Sequence, residues 1–479
     1  MSRKSAVELW LHSIIMLGVI PFLTFISYPG FLHSDAIDLW QSAIVISHLG
    51  LHADLSQFST FHPWLPRYLT GALLALTGQF ASFIYLQLLA LYCSSLYLAR
   101  CLASPLCATF AAIAVFLTPI VMMMGCFWVI DVPAAIGICL CIGGLIRICR
   151  GTAPFGSSLA VAAGFILVAG FRLNGVAELP ALLLVLFWRG RIRLFAKLSL
   201  AVILLAVSYA AFAGPAWLHA RLRHRTSANL ALVMDLTAYY AQAGFPPNAP
   251  PLDFLGGSTA EAVKNICYAG MFCGSQLDAY DKNWPKSLNW NATYTGGAPQ
   301  NMARLETLYR QAVLSHPLIM LDVKLHYAAY VLGIAQPLWA FHTDLFERVQ
   351  PLAVKKLGAA AGTLTQSKLD LLGVNDWTWD NGFKEIGGRP LLLAIICLAA
   401  GLILRLPRLE LFVTLGLAAF YYLVFLLVTP DIIFRYFFPA FIPAYILLWA
   451  EIIAAFQWGW RSFMGRAMTR SPITPAGTP

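Results

Sequence analysis

The sequence predicts an all-α polytopic membrane protein. About ten transmembrane helices are expected, with interfacial helices in the first outer loop and a large mixed, mainly helical, extracytoplasmic domain. Three observations carry this. The 479-residue chain is 59% hydrophobic and only 11% charged, with a mean hydropathy of +0.72, whereas soluble domains hold roughly 25% charged residues. Its apolar residues gather into runs near the 20 residues that span a bilayer. Its ionisable groups fall almost entirely between those runs.

The spans are placed near Glu8–Ser27, Phe80–Ala99, Pro105–Met124, Val132–Ile148, Phe155–Phe171, Gly175–Trp188, Leu194–Gly214, Pro390–Leu404, Leu409–Val428 and Phe437–Phe456. Glu8–Ser27 reads as a span rather than a cleaved signal peptide, because no small-residue cleavage site follows it. Trp64–Thr77 is shorter and follows His62-Pro63, so it reads as an interfacial or re-entrant helix.

Charge orients the bundle. With the N-terminus inside, fourteen Lys and Arg residues flank the cytoplasmic ends, from Arg3 and Lys4 to Arg461, Arg466 and Arg470. The short outer segments hold three, Arg67, Arg172 and Arg435. That asymmetry is the bias expected of cytoplasmic loops. It also accounts for the net charge of +10 without a nucleic-acid partner. The expected setting is therefore a cytoplasmic membrane with both termini inside.

Four regions follow. Residues 1–214 form an N-terminal transmembrane module, within which 28–79 is the first outer loop. Residues 215–389 form an extracytoplasmic domain carrying thirteen of the twenty-two acids. Residues 390–460 hold the last transmembrane helices, and 461–479 a basic cytoplasmic tail. Of the ten cysteines only Cys267 and Cys273 share the long polar loop; outside the cytoplasm they are placed to form a disulfide. The remainder read as small packed hydrophobes.

The polar residues of the outer rim are the candidates for chemistry. Pro29-Gly30 ends the first span, and Ser34, Asp35 and Asp38 suit the start of a new helix. Asp35 and Asp38 read either as capping residues or as a base and its neighbour one turn on; as a pair they suit a divalent cation. His62, beside Pro63, titrates near neutrality or serves as a structural hydrogen-bonder. Asp131, just before Pro133, reads either as a helix start or as an acid with a purpose, since a lone acid heading an apolar span is costly. Arg172 lies between two tightly linked spans, with Glu178 shortly after. Its fork matches phosphate oxygens; the alternative is a structural pair with Asp131 or Glu178. Arg435 is a second phosphate candidate, with Tyr436 as interfacial companion and Asp431 nearby; the alternative is a snorkelling side chain.

The basic run around His219, Arg221, Arg223, His224 and Arg225 suits lipid head groups or a solvated loop. Asn291-Ala292-Thr293 fits a glycosylation sequon. No P-loop, GxSxG elbow, HExxH or dinucleotide fingerprint occurs.

His33-Ser34-Asp35, Phe61-His62-Pro63, Ile130-Asp131-Val132-Pro133, Phe171-Arg172-Leu173-Asn174 and Phe434-Arg435-Tyr436 carry a resemblance. In this order, the first four after one span and before a late outer domain and the fifth beyond it, they resemble the GT-C superfamily of integral-membrane glycosyltransferases. Protein mannosyltransferase and aminoarabinose lipid A transferase types belong there. The resemblance implies that Asp35 is catalytic, that Asp131 is the second-loop acid, and that a polyprenyl-phosphate sugar is the donor. It implies support from Asp38, His62 and Glu178 and donor-phosphate binding by Arg172, Arg435 and Tyr436. The expected partners are the lipid-linked sugar, membrane lipids and a glycan, lipid or protein acceptor, with a divalent cation as a candidate cofactor. The expected location is the bacterial inner membrane, with the site on the periplasmic side. Where family members pair Asp with Glu, this chain has Asp35-Ala36-Ile37-Asp38. A transporter or lipid flippase is the alternative.

Overall fold

A computed structural model describes residues 3–28, 34–50, 64–127, 129–213, 299–334, 387–404, 406–424 and 434–469, with Leu232, Asp235, Leu236 and Tyr239. Among the described residues the protein is helical and has no strand. Six helices are long and apolar enough to cross a membrane, and one bent pair makes a seventh. This bears out a helical membrane protein.

The first helix, α1 (Ser5–Ser27), contains a π-helical turn at Ile15–Val19. Two helices follow, α2 (Ser34–Leu49) and α3 (Trp64–Thr77), the latter with the bounds its apolar run predicts. α3 presses on α2 through Gly71, where an added Cβ would lie 2.7 Å from Ile46 Cγ2. Next comes α4 (Ala81–Leu102).

The predicted span Pro105–Met124 needs correction. It is two helices, α5 (Pro105–Phe116) and α6 (Pro119–Cys126), bent by 68°. Pro119 is the cause: proline drives the residue before it out of the helical region, and Thr118 sits at φ −63, ψ 127.

The centre of the bundle is an antiparallel pair, α7 (Asp131–Arg150) and α8 (Pro154–Phe171). Gly151, at φ 74, ends α7, and Thr152 N–H donates to Arg147 O at 2.9 Å. That is the left-handed glycine cap that closes helix ends. Gly137 and Gly164 then let the backbones touch: a Cβ on Gly137 would lie 2.4 Å from Gly164 O, and one on Gly164 would lie 2.5 Å from Gly137 O. Small residues at such a crossing are how helices pack within lipid, where no hydrophobic force favours their association. With lengths of 20 and 18 residues, the helices end level, so the start of α7 meets the end of α8.

A 3-10 turn, Leu173–Glu178, leads into α9 (Leu179–Arg189), and α10 (Leu194–Ala213) follows. Later in the chain come α11 (Pro299–Ser315), α12 (Pro317–Val331), α13 (Pro390–Ile403), α14 (Arg408–Leu423) and α15 (Phe434–Thr469). The apolar span of α15, Phe437–Gln457, packs beside α7 and α14.

Candidate functional site

Asp131 opens α7, and Arg172 follows the last residue of α8, where the chain has left the helix at φ −133, ψ 114. Arg172 Nη2 donates to Asp131 Oδ1, forming an ion pair. The Asp131 side chain is 1% exposed and that of Arg172 14%. α7 has no side-chain cap at its start. Asp131 therefore does not cap its own helix, as one sequence alternative had it. It holds the arginine instead, while the positive end of the α7 dipole favours its charge. Asp131 Oδ2 has no hydrogen-bond partner among the described residues.

The turn after Arg172 is tight. Gly175 N–H donates to Arg172 O at 2.8 Å, and a Cβ on Gly175 would lie 2.6 Å from Val168 O. Only a glycine permits this return, which brings Glu178 back under the bundle surface at 3% exposure. Glu178 lines a cavity of about 10 Å³ with Cys141, Phe165, Leu182 and Leu417. Its Oε1 also lacks a partner among the described residues. Tyr421 of α14 completes the group, since Arg172, Asp131 and Glu178 all lie within electrostatic reach of its phenol.

The α2–α3 pair closes one side. Gly170, two residues before Arg172, receives Leu65 of α3, whose Cδ2 would be 2.5 Å from an added Cβ. Trp64 Nε1 donates to Ala210 O of α10 at 3.1 Å, tying α3 across the bundle. A second cavity, also about 10 Å³, is lined by Leu39, Pro66, Phe83, Val129, Ile130 and Phe171. Leu39 is the residue after Asp38, while Ile130 and Phe171 immediately precede Asp131 and Arg172. Leu39 of α2 therefore shares this cavity with the residues that precede Asp131 and Arg172.

The long segment before α13 also reaches this end. Tyr422 Oη, next to Tyr421, donates to Val331 O of α12 at 2.7 Å, and Arg389 Nη1 donates to Gly333 O at 2.7 Å. Behind that contact, Lys324 Nζ pairs with Asp235 Oδ2 at 2.6 Å, and Tyr309 Oη donates to the same oxygen at 3.3 Å. Burial outweighs Lys324 and holds the Asp235 carboxyl above the usual aspartate range.

Of the predicted site residues, Asp131, Arg172 and Glu178 come together. Asp35 and Asp38 lie on α2, Arg435 and Tyr436 on α15; the side chains of these four lie outside the described residues, as do His62, Asp431, Cys267, Cys273, Asn291 and the His219–Arg225 run. Among the described residues no three His, Cys, Asp or Glu side chains gather as a metal site.

Three buried polar side chains were not foreseen. Tyr421 was hidden in an apolar run, and only its hydroxyl near a span end could have marked it. Arg67, expected on an outer segment, is fully buried on α3. Gln87 of α4 donates through Nε2 to Gly125 O at 2.9 Å and Phe127 O at 2.8 Å, fixing the segment that leads to Asp131. Comparison of the chain with protein-family models, curated proteins and solved structures gave no match.

Proposed function

We propose that this chain is a membrane glycosyltransferase of the GT-C type. It moves a sugar from a polyprenyl-phosphate donor to an extracytoplasmic glycan, lipid or protein. One observation carries the reading: a largely buried arginine at a bundle end, ion-paired with Asp131, with Tyr421 and Glu178 in the same electrostatic neighbourhood. A guanidinium held this way is a receptor for an anion that arrives from lipid. The donor phosphate meets Arg172 and shares it with Asp131, and the positive charge stabilises the leaving phosphate as its bond to the sugar breaks. Asp35, on α2, takes the proton of the acceptor hydroxyl. That hydroxyl oxygen forms the new bond to the anomeric carbon in one displacement, inverting it. Arg435 and Tyr436 assist at the phosphate, and Asp38 and His62 support the base.

The topology belongs to the same proposal. Three predicted spans correspond to helices shorter than a bilayer crossing: Gly175–Trp188 to α9, Pro390–Leu404 to α13 and Leu409–Val428 to α14. Counted with the seven long crossings they make ten. Residues 215–389 are then an extracytoplasmic domain that selects the acceptor, and both termini are cytoplasmic. The membrane is a bacterial inner membrane with the site facing the periplasm.

Mass spectrometry of surface glycans and lipids in a deletion strain tests the reading. A sugar should disappear, return with the wild-type chain, and stay absent with Asp35→Asn or Arg172→Gln at normal membrane levels. An unchanged glycan profile in the deletion strain overturns the proposal.

One observation favours the rival, a transporter or flippase. Glu451 lies inside α15 at 1% exposure, and neither carboxylate oxygen has a partner among the described residues. Ionisable groups within a span often mark a transport path. Under that reading Glu451→Gln abolishes function while Asp35→Asn does not.

A further inference from the structure

The opposite end of α7 carries a second charged cluster that the transfer reaction does not use. α7 rises about 30 Å over its length, close to the hydrocarbon thickness of a bilayer. At this far rim two short turns are fused. Arg191 N–H donates to Ile148 O at 3.0 Å, and Gly151 offers its open face to Arg191, whose Cβ would be 3.7 Å from an added Cβ. The fusion gathers Arg189, Arg191 and Lys197, whose charges all reach the buried Cys149 at the end of α7.

The local acid is already taken. Arg150 holds Glu410 at 2.6 Å. Arg189 stacks over the Trp188 ring at 4.6 Å, and Lys197 Nζ donates to Phe187 O at 3.3 Å. Neither Arg189, Arg191 nor Lys197 forms an ion pair among the described residues. Beside these cations stand large apolar side chains: Trp188 is 71% exposed, Phe195 81% and Phe155 84%. Cations bordered by exposed aromatics match the two halves of an anionic lipid, a phosphate at the water boundary and acyl chains alongside.

We infer that the turns at Arg150–Ala153 and Gly190–Arg193 form a binding site for the phosphate headgroup of an anionic phospholipid, with Arg189, Arg191 and Lys197 as its ligands. A free anion would use the cations alone. The exposed Trp188, Phe195 and Phe155 commit the site to a lipid.

The test uses the full-length protein in a neutral detergent, titrated with phosphatidylglycerol or phosphatidylcholine and read by native mass spectrometry of bound lipid. The wild type should bind phosphatidylglycerol more tightly than phosphatidylcholine. Arg189→Gln/Arg191→Gln/Lys197→Gln should weaken phosphatidylglycerol binding by about 100-fold at low salt, taking about 1 kcal/mol per cation. Arg189→Lys/Arg191→Lys should stay within about threefold of wild type, because charge is retained. Arg310→Gln, at an exposed position of α11, controls for bulk charge and should change nothing. If the triple variant does not elute as a single species, Arg191→Gln alone should still lose about fivefold. Equal binding of the two lipids, a triple or single variant that binds as the wild type does, or an equal loss in Arg310→Gln overturns the inference. Full displacement of the lipid by millimolar inorganic phosphate does so too.

Discussion

Replacing Gly137 with alanine tests whether the α7–α8 contact sets the geometry of the ion pair. The added Cβ would lie 2.4 Å from Gly164 O and 2.9 Å from Val168 N, while ordinary contact begins at 3.4 Å. Both obstacles are backbone, so no side-chain rotation relieves them. α8 must retreat by about 1 Å, and Arg172 follows its end. Overpacking of this kind costs about 1–3 kcal/mol, and a displacement near 1 Å at a reacting centre can cost about 100-fold in rate. Unfolding of purified protein in mixed micelles of increasing dodecyl sulfate measures the first effect. Gly416→Ala on α14 is the matched control, because nothing lies within 4 Å of its added Cβ; the better helix propensity of alanine should make it neutral or slightly stabilising. Equal stabilities for the two variants, within about 0.5 kcal/mol, would refute the close-contact account.

The Asp131–Arg172 pair should show strong coupling. Asp131→Ala or Arg172→Ala alone should cost about 3–5 kcal/mol by leaving a buried charge, and the double variant should cost less than their sum by about 0.5–3 kcal/mol; simple additivity in the same micelle assay would count against the pair. Tyr422→Phe removes the bond to Val331 O, so it should cost about 1 kcal/mol and speed amide exchange in α12, with unchanged exchange as the contrary result. Asp235 binds its proton more tightly in the folded chain, because its pKa is raised there by burial. Its contribution thus favours folding below the ordinary aspartate pKa of about 4 and is lost as pH rises through the raised value. Asp235→Asn should flatten that decline in unfolding curves taken between about pH 4 and 7, and an unaltered slope would deny it.

How much of this could be read from sequence depended on range. Hydropathy located α4, α7, α8 and α10 because each apolar run is one helix bounded by charge or proline. The bend between α5 and α6 stayed hidden: Leu117-Thr118-Pro119 lies inside a continuous apolar run, and the composition of a run does not report its direction. Spacing also could not decide what Asp131 does. A helix start and an ion pair across 41 residues look alike until the α7–α8 pair is closed. Both runs carry several glycines, and only the folded pair shows that Gly137 and Gly164 face one another. Tyr421 reached the site by tertiary packing from a helix near the far end of the chain, which no local pattern encodes.

The level ends of α7 and α8 make helix length itself a functional quantity. One residue inserted on the Asp131 side of the Gly137–Gly164 crossing would swing that terminus by about 100° and lift it by about 1.5 Å. The carboxylate would then face away from Arg172. A change of length at the Gly151 bend leaves this register alone, whereas between crossing and tip the two helices act as a ruler cut to one measure.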